Sequence, residues 1–171
     1  MNYYFFPQIL SLKTTVTLAN FPPTITPSWN AQSSYIHATF STGAKWKIFF
    51  IQEIAPGDIF SLEVQDLPEQ PPEGSSVFLF MHPNRLSEDM DFLPIEKFME
   101  SEPSWRGNIK LSSETTATSY QGEYPDFMLN LSKGTLLTFN PLIQTQSGVI
   151  TQLIVVNILR SPAIREGRLF I

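Results

Sequence analysis

The chain contains no cysteine. That excludes disulfides, thiolate zinc sites and a cysteine nucleophile, and it leaves the redox compartment open. Only two histidines occur, His37 and His82. A zinc site would need both of them plus carboxylates, and neither H-x-x-x-H nor H-E-x-x-H is present. The 8 glycines are scattered and form no G-x-G-x-x-G or P-loop cradle for phosphate. No G-x-S-x-G nucleophile elbow occurs. No apolar run approaches the roughly 18 residues of a membrane helix. The first residues, Met1 to Leu10, lack the basic region of a signal peptide, and Pro7 interrupts their short apolar stretch. The expectation is a soluble protein of unassigned compartment that uses no cofactor.

Charge is also scarce. Charged residues make up 16% of the chain, against about 25% in typical domains. Apolar residues make up 42%, with 14 Phe, 5 Tyr and 3 Trp among the aromatics. Much apolar surface must therefore be hidden, with little charge to solvate the outside. The net charge is −5, and residues 63–102 carry ten acidic residues against Arg85 and Lys97. That stretch repels phosphates, which argues against nucleic acid as a partner.

With 171 residues, the chain suits one domain large enough to fold without metal or disulfide. Strict alternation marks its strands. Thr14, Val16 and Leu18 oppose Lys13, Thr15 and Thr17. Ile36, Ala38 and Phe40 oppose Tyr35, His37 and Thr39. Phe60, Leu62 and Val64 oppose Ile59, Ser61 and Glu63. Period two is the signature of half-buried strands. On this pattern His37 falls on the polar face, as an exposed or hydrogen-bonded strand residue.

Turn chemistry predicts the local connections. Ser41-Thr42-Gly43-Ala44 suits a hairpin between 35–40 and 45–52. Ala55-Pro56-Gly57-Asp58 suits a type II turn, with Pro fixing φ and Gly accepting positive φ. It should join 45–53 to 58–65 as antiparallel neighbours. The Pro-rich stretch from Leu67 to Gly74 reads as a crossing between sheets, because Pro supplies no ladder donor. One short helix is expected over 94–102, with Ile95, Phe98 and Met99 on one face and Pro103 as its stop.

The fold class implied is all-β, an antiparallel β-sandwich with a jelly roll as one form that its Pro-rich crossings allow, plus that short helix. Residues 13–171 form the sandwich domain. Residues 1–12 are an aromatic segment that suits a partner-docking arm, with Tyr3, Tyr4, Phe5 and Phe6 as candidate interface residues. Three strands, at 46–51, 77–81 and 149–159, are apolar on both faces. An antiparallel sandwich normally has a polar outer face. The outer sides of these strands need a cover from loops, another subunit or a ligand. One helix is too short to cover three strands, so a homo-oligomer or obligate complex is expected, with Phe49, Ile51 and Phe80 at the apolar patch.

Three stretches carry candidate contacts. Tyr120-Gln121-Gly122-Glu123-Tyr124-Pro125-Asp126 sets two tyrosines beside an amide and two carboxylates. Aromatic faces with acceptors suit a sugar or a partner's polar rim, and tyrosines capping the core are the plainer reading. Glu123 and Asp126 have the composition of a glycosidase pair, a pairing common by chance. Glu88-Asp89-Met90-Asp91 shares composition with a calcium loop but lacks its alternate-acid register and its glycine, and reads as a solvated acidic loop. His82-Pro83-Asn84-Arg85 resembles the galectin sequence H-x-N-P-R, in which His, Asn and Arg hydrogen-bond a sugar; Trp105 follows, as an aromatic does in that family. The resemblance covers four residues, and Pro precedes Asn here, which shifts the register of the polar side chains. It adds slight weight to a glycan-binding reading. The first functional expectation is a non-enzymatic interaction or assembly subunit. The alternative is a lectin-like domain for a carbohydrate or small ligand, and a hydrolase built from dispersed residues stands third.

Overall fold

The computed structural model describes residues 3–7, 12–20, 32–72, 75, 77–86, 89–94, 107–121, 148 and 161–162. Nine strands lie among them: β1 (Tyr3–Phe6), β2 (Lys13–Ala19), β3 (Ser34–Ser41), β4 (Trp46–Ile54), β5 (Ile59–Glu63), β6 (Val77–His82), β7 (Asp89–Met90), β8 (Asn108–Ser112) and β9 (Ala117–Gln121). They form two antiparallel sheets. The first has the order β1-β6-β3-β4-β7 and the second β5-β2-β8-β9. Among the described residues the one helical turn is a 3-10 turn at Val64–Asp66. Most of the helix expected over 94–102, and all of the strand expected over 149–159, lie outside the described residues.

The expected alternation produces the core between the sheets. Val16, Leu18, Leu62 and Ile109 point inward from the second sheet. Tyr4, Phe6, Ile36, Ala38, Phe40, Val77, Leu79 and Met81 meet them from the first. Full burial of each Val, Leu, Ile, Met or Phe among them contributes about 1.5–3 kcal/mol. Phe49, Ile51 and Phe60 pack at the rim of this cluster.

The 41–44 turn closes β3 onto β4 as expected, with Gly43 at φ +85°. The 55–58 turn also forms: Asp58 N–H donates to the Ala55 carbonyl at 3.1 Å, and Gly57 has φ +90°. Its consequence differs from the expectation. β4 stays in the first sheet while β5 pairs with β2 in the second. The turn is a sheet switch, not a hairpin. A turn sequence sets the local reversal but not the ladder that each arm joins. Here Asn20, at the end of β2, captures the turn. Its N–H donates to the Asp58 carbonyl at 3.0 Å, and its own carbonyl accepts from Gly57 N–H at 2.6 Å. Its side-chain Nδ2 donates to the carbonyls of Ile54 at 3.0 Å and Gln32 at 3.1 Å. The Pro-rich stretch after β5 returns the chain to the first sheet at β6, as a crossing should.

The outer face of the first sheet corrects a second expectation. Phe80, expected in an exposed patch, is fully buried within this one chain, as are Tyr3, Ile48 and Phe78, with Trp46 nearly so. A second apolar cluster covers the sheet: these residues join Leu93, with Phe5, Leu86 and Met90 packed around them. The cover comes from residues 83–86 and 89–94, a strap that leaves the end of β6, runs outward to β7 beyond β4, and comes back as far as β1. There the Tyr3 hydroxyl donates to the Pro94 carbonyl at 2.6 Å. In the stretch read as a solvated acidic loop Asp89 and Asp91 are indeed exposed, but Met90 is partly buried against the outer cluster, and just beyond it Leu93 is fully buried while Phe92 stays exposed.

Tyr3, Tyr4 and Phe6 of β1 are likewise buried in their own chain. β1 pairs with β6, with Tyr3 opposite Phe80 and Phe5 opposite Phe78.

Candidate functional site

The described residues with the densest chemistry lie where the strap crosses the outer face of the first sheet. Strand register sets one row of side chains across that face: Tyr3 of β1, Phe80 of β6, His37 of β3 and Phe50 of β4. The next row brings His82 opposite Tyr35 and Tyr35 opposite Glu53. The His37 ring is stacked on Phe80, with centroids 5.1 Å apart and planes 17° from parallel. Phe50 approaches it edge-on at 6.1 Å, and His82 does so at 6.4 Å. The Arg85 guanidinium lies 4.3 Å from the Phe50 ring centroid, a cation–π contact on the rim of the layer.

His37 is fully buried, contrary to the exposed option for a polar strand face. The pattern of its strand is correct, but the strap removes the water that the pattern implies. The Leu86 backbone N–H donates to His37 Nε2 at 3.1 Å. Nε2 therefore carries the lone pair, and the proton of the neutral ring sits on Nδ1. Nδ1 is buried with no partner at hydrogen-bonding geometry. The His37 pKa is pushed down to about 4, first by burial, then by His82, and less by Arg85, against a contrary pull from the Tyr35 backbone. At neutral pH this imidazole is an uncharged hydrogen-bond acceptor built into the wall.

His82 ends β6 and is also buried. Its Nδ1 stands 3.0 Å from the Asn84 amide nitrogen and 2.9 Å from the Asn84 carbonyl oxygen. It accepts from the first when Nδ1 is bare and donates to the second when Nδ1 is protonated. Either way the imidazole closes the turn that starts the strap.

Of the galectin-like residues, His82 is buried while Asn84 and Arg85 are exposed. A ligand from solvent would thus meet Asn84 and Arg85 with the histidine turned away. Trp105, Glu123, Tyr124 and Asp126 lie outside the described residues, as does the side chain of Gln121, so their convergence with Tyr120 has no geometry here. Tyr120 sits on β9 opposite Ile109 and is substantially exposed. Asp89, from the acidic stretch, pairs in β7 with Lys47 of β4. Among the described residues no group of three or more His, Asp or Glu side chains converges as metal ligands would. No described helix is long and apolar enough to cross a membrane.

Sequence reasoning missed two residues that organise this architecture. Leu86 follows the galectin-like stretch and offers only an apolar side chain, yet its amide is what His37 holds. Asn20 follows a strand as any turn asparagine does, and nothing local marks it as a clasp. Comparison with protein-family models, with curated proteins and with solved structures finds no match.

Proposed function

We propose that this chain is a non-enzymatic assembly subunit that associates with further copies of itself through the edges of its second sheet. One observation carries the reading: among the described residues most large apolar side chains are hidden, yet on the second sheet Ile59 remains 62% exposed and Tyr120 44% exposed. They lie on β5 and β9, the two outer strands of that sheet among the described residues. β9 has the sequence Ala-Thr-Ser-Tyr-Gln, without charge or proline. Soluble proteins usually guard an outer strand with such residues, since an unguarded edge accepts a strand from another chain. Edge-to-edge pairing would bury Ile59 and Tyr120 and extend the ladder. The engagement of both histidines in holding backbone also favours a non-catalytic role.

Light scattering across a concentration series tests this reading. The native chain is expected to show a mass above that of one chain, and the double variant Ile59→Lys, Tyr120→Lys is expected to fall to a monomer with an unchanged far-ultraviolet spectrum. A native chain that stays monomeric at high concentration would overturn it.

A further inference from the structure

We propose that His37 and the Leu86 amide form an acid-operated latch, which holds the strap over the outer face of the first sheet at neutral pH and releases it when the imidazole takes a second proton. The inference is independent of the assembly reading.

The geometry defines what that proton does. Nδ1 already carries the proton of the neutral ring, because Nε2 accepts from Leu86 N–H at 3.1 Å. The second proton can add only at Nε2, the accepting atom. The latch bond is then replaced by two donors facing each other, and a full charge enters an aromatic layer closed to water.

Burial and the charged or titratable neighbours oppose that charge, and one backbone group favours it. β6 presents Phe80 and His82, and the strap presents Arg85 next to Leu86. β4 presents Phe50, while its Glu53 lies one row further along, opposite Tyr35. On β3 itself the Tyr35 backbone favours the proton, and burial, His82 and Arg85 oppose it. Among the described residues no carboxylate acts on the ring to stabilise its cation.

Release would start at the β6 end of the strap. Leu86 packs against the outer cluster that contains Phe80 and Phe78, so losing its anchor loosens the cover of that cluster from this end. The far end keeps the Tyr3 hydroxyl bond to the Pro94 carbonyl. A partial opening thus exposes an apolar aromatic face while the sandwich core, on the opposite side of the sheet, stays intact.

The test follows binding of 1-anilinonaphthalene-8-sulfonate to the whole chain from pH 7.5 to pH 3.5, alongside far-ultraviolet circular dichroism. Dye fluorescence should rise several-fold as the pH falls toward 4, where the latched imidazole takes its proton, and before the β-sheet signal is lost. His37→Gln keeps an acceptor for Leu86 N–H and does not titrate, so the rise should vanish. Arg85→Gln removes an exposed charge that opposes protonation, so the midpoint should move to higher pH. The Arg85→Gln arm decides the matter if the His37 variant does not fold. A dye signal that stays flat down to the unfolding transition, a rise that persists in folded His37→Gln, or a midpoint that Arg85→Gln leaves in place or lowers would each overturn the latch.

Discussion

Gly107 lies so close to the ring of Tyr4 that a Cβ at this position would overlap Tyr4 Cδ1. This contact joins the two sheets, since Tyr4 lies in β1 of the first and Gly107 leads into β8 of the second. Tyr4 is buried in the central core, where a ring cannot swing aside without disturbing its neighbours. Gly107→Ala should therefore destabilise the fold by about 1–3 kcal/mol, the usual range for overpacking. Urea denaturation would read the loss. Combining it with Tyr4→Val, which makes room for the new methyl, should cost clearly less than the two single changes added together. Strict additivity would mean that the ring and the glycine do not share the space the structure gives them.

The sheet switch at Gly57 separates two kinds of glycine requirement. A Cβ at Gly57 would meet nothing within 4 Å, but the residue has φ +90°. Its requirement is conformational alone, whereas that of Gly107 is spatial. Gly57→Val should cost roughly 1–2 kcal/mol, and Gly57→Asn distinctly less, because asparagine tolerates the left-handed region far better than a β-branched residue does. Asn20→Ala strips the donors from the buried Ile54 carbonyl and the partly buried Gln32 carbonyl. Its expected cost is about 2–3 kcal/mol, from loss of the bonds and the burial of unpaired acceptors. Equal chemical denaturation midpoints for Gly57→Val and Gly57→Asn would dismiss backbone conformation as the cause. An Asn20→Ala variant as stable as the native chain would show that the turn is held by β2 pairing alone.

The period-two patterns of β2, β3 and β5 were legible because each strand has one face in the central core. Val16 and Leu18 are buried while Thr15 and Thr17 are only partly so, as their alternation implies. What lay over the other face was not legible. The sequence marks the outer face of β6 as apolar through Phe78 and Phe80, which demands a cover, but it does not say whose. The cover is Leu86, Met90 and Leu93, spaced four and three apart among acids, so the stretch reads as a solvated loop. The two-sided apolar strand was itself the available signal, since a short apolar series nearby in sequence is the least distant supplier of a lid. The sheet switch was hidden for a different reason. Its turn residues are those of any tight reversal, and the bonds that redirect β5 come from Asn20, more than thirty positions away.

The buried imidazole ties overall stability to pH with a definite sign. In the unfolded chain His37 titrates near its ordinary value of 6.5, while in the fold it resists protonation down to about 4. Between those values the unfolded chain binds a proton that the folded chain refuses, so stability falls as pH falls through that window. Above pH 6.5 neither state is protonated at this residue, and its contribution is flat. Below about pH 4 both are protonated, and the loss is complete. With each unit of separation equal to about 1.4 kcal/mol, the full loss is roughly 3 kcal/mol. Carboxylates add their own dependence in the same region, so the informative quantity is the difference between the native chain and His37→Gln. Urea midpoints taken at intervals from pH 7.5 to pH 4 should show the native chain losing stability faster than the variant, and the two curves converging as the pH falls. Parallel curves across that range would mean that the imidazole gains its proton as readily in the fold as out of it, which a sealed ring accepting the Leu86 amide cannot do.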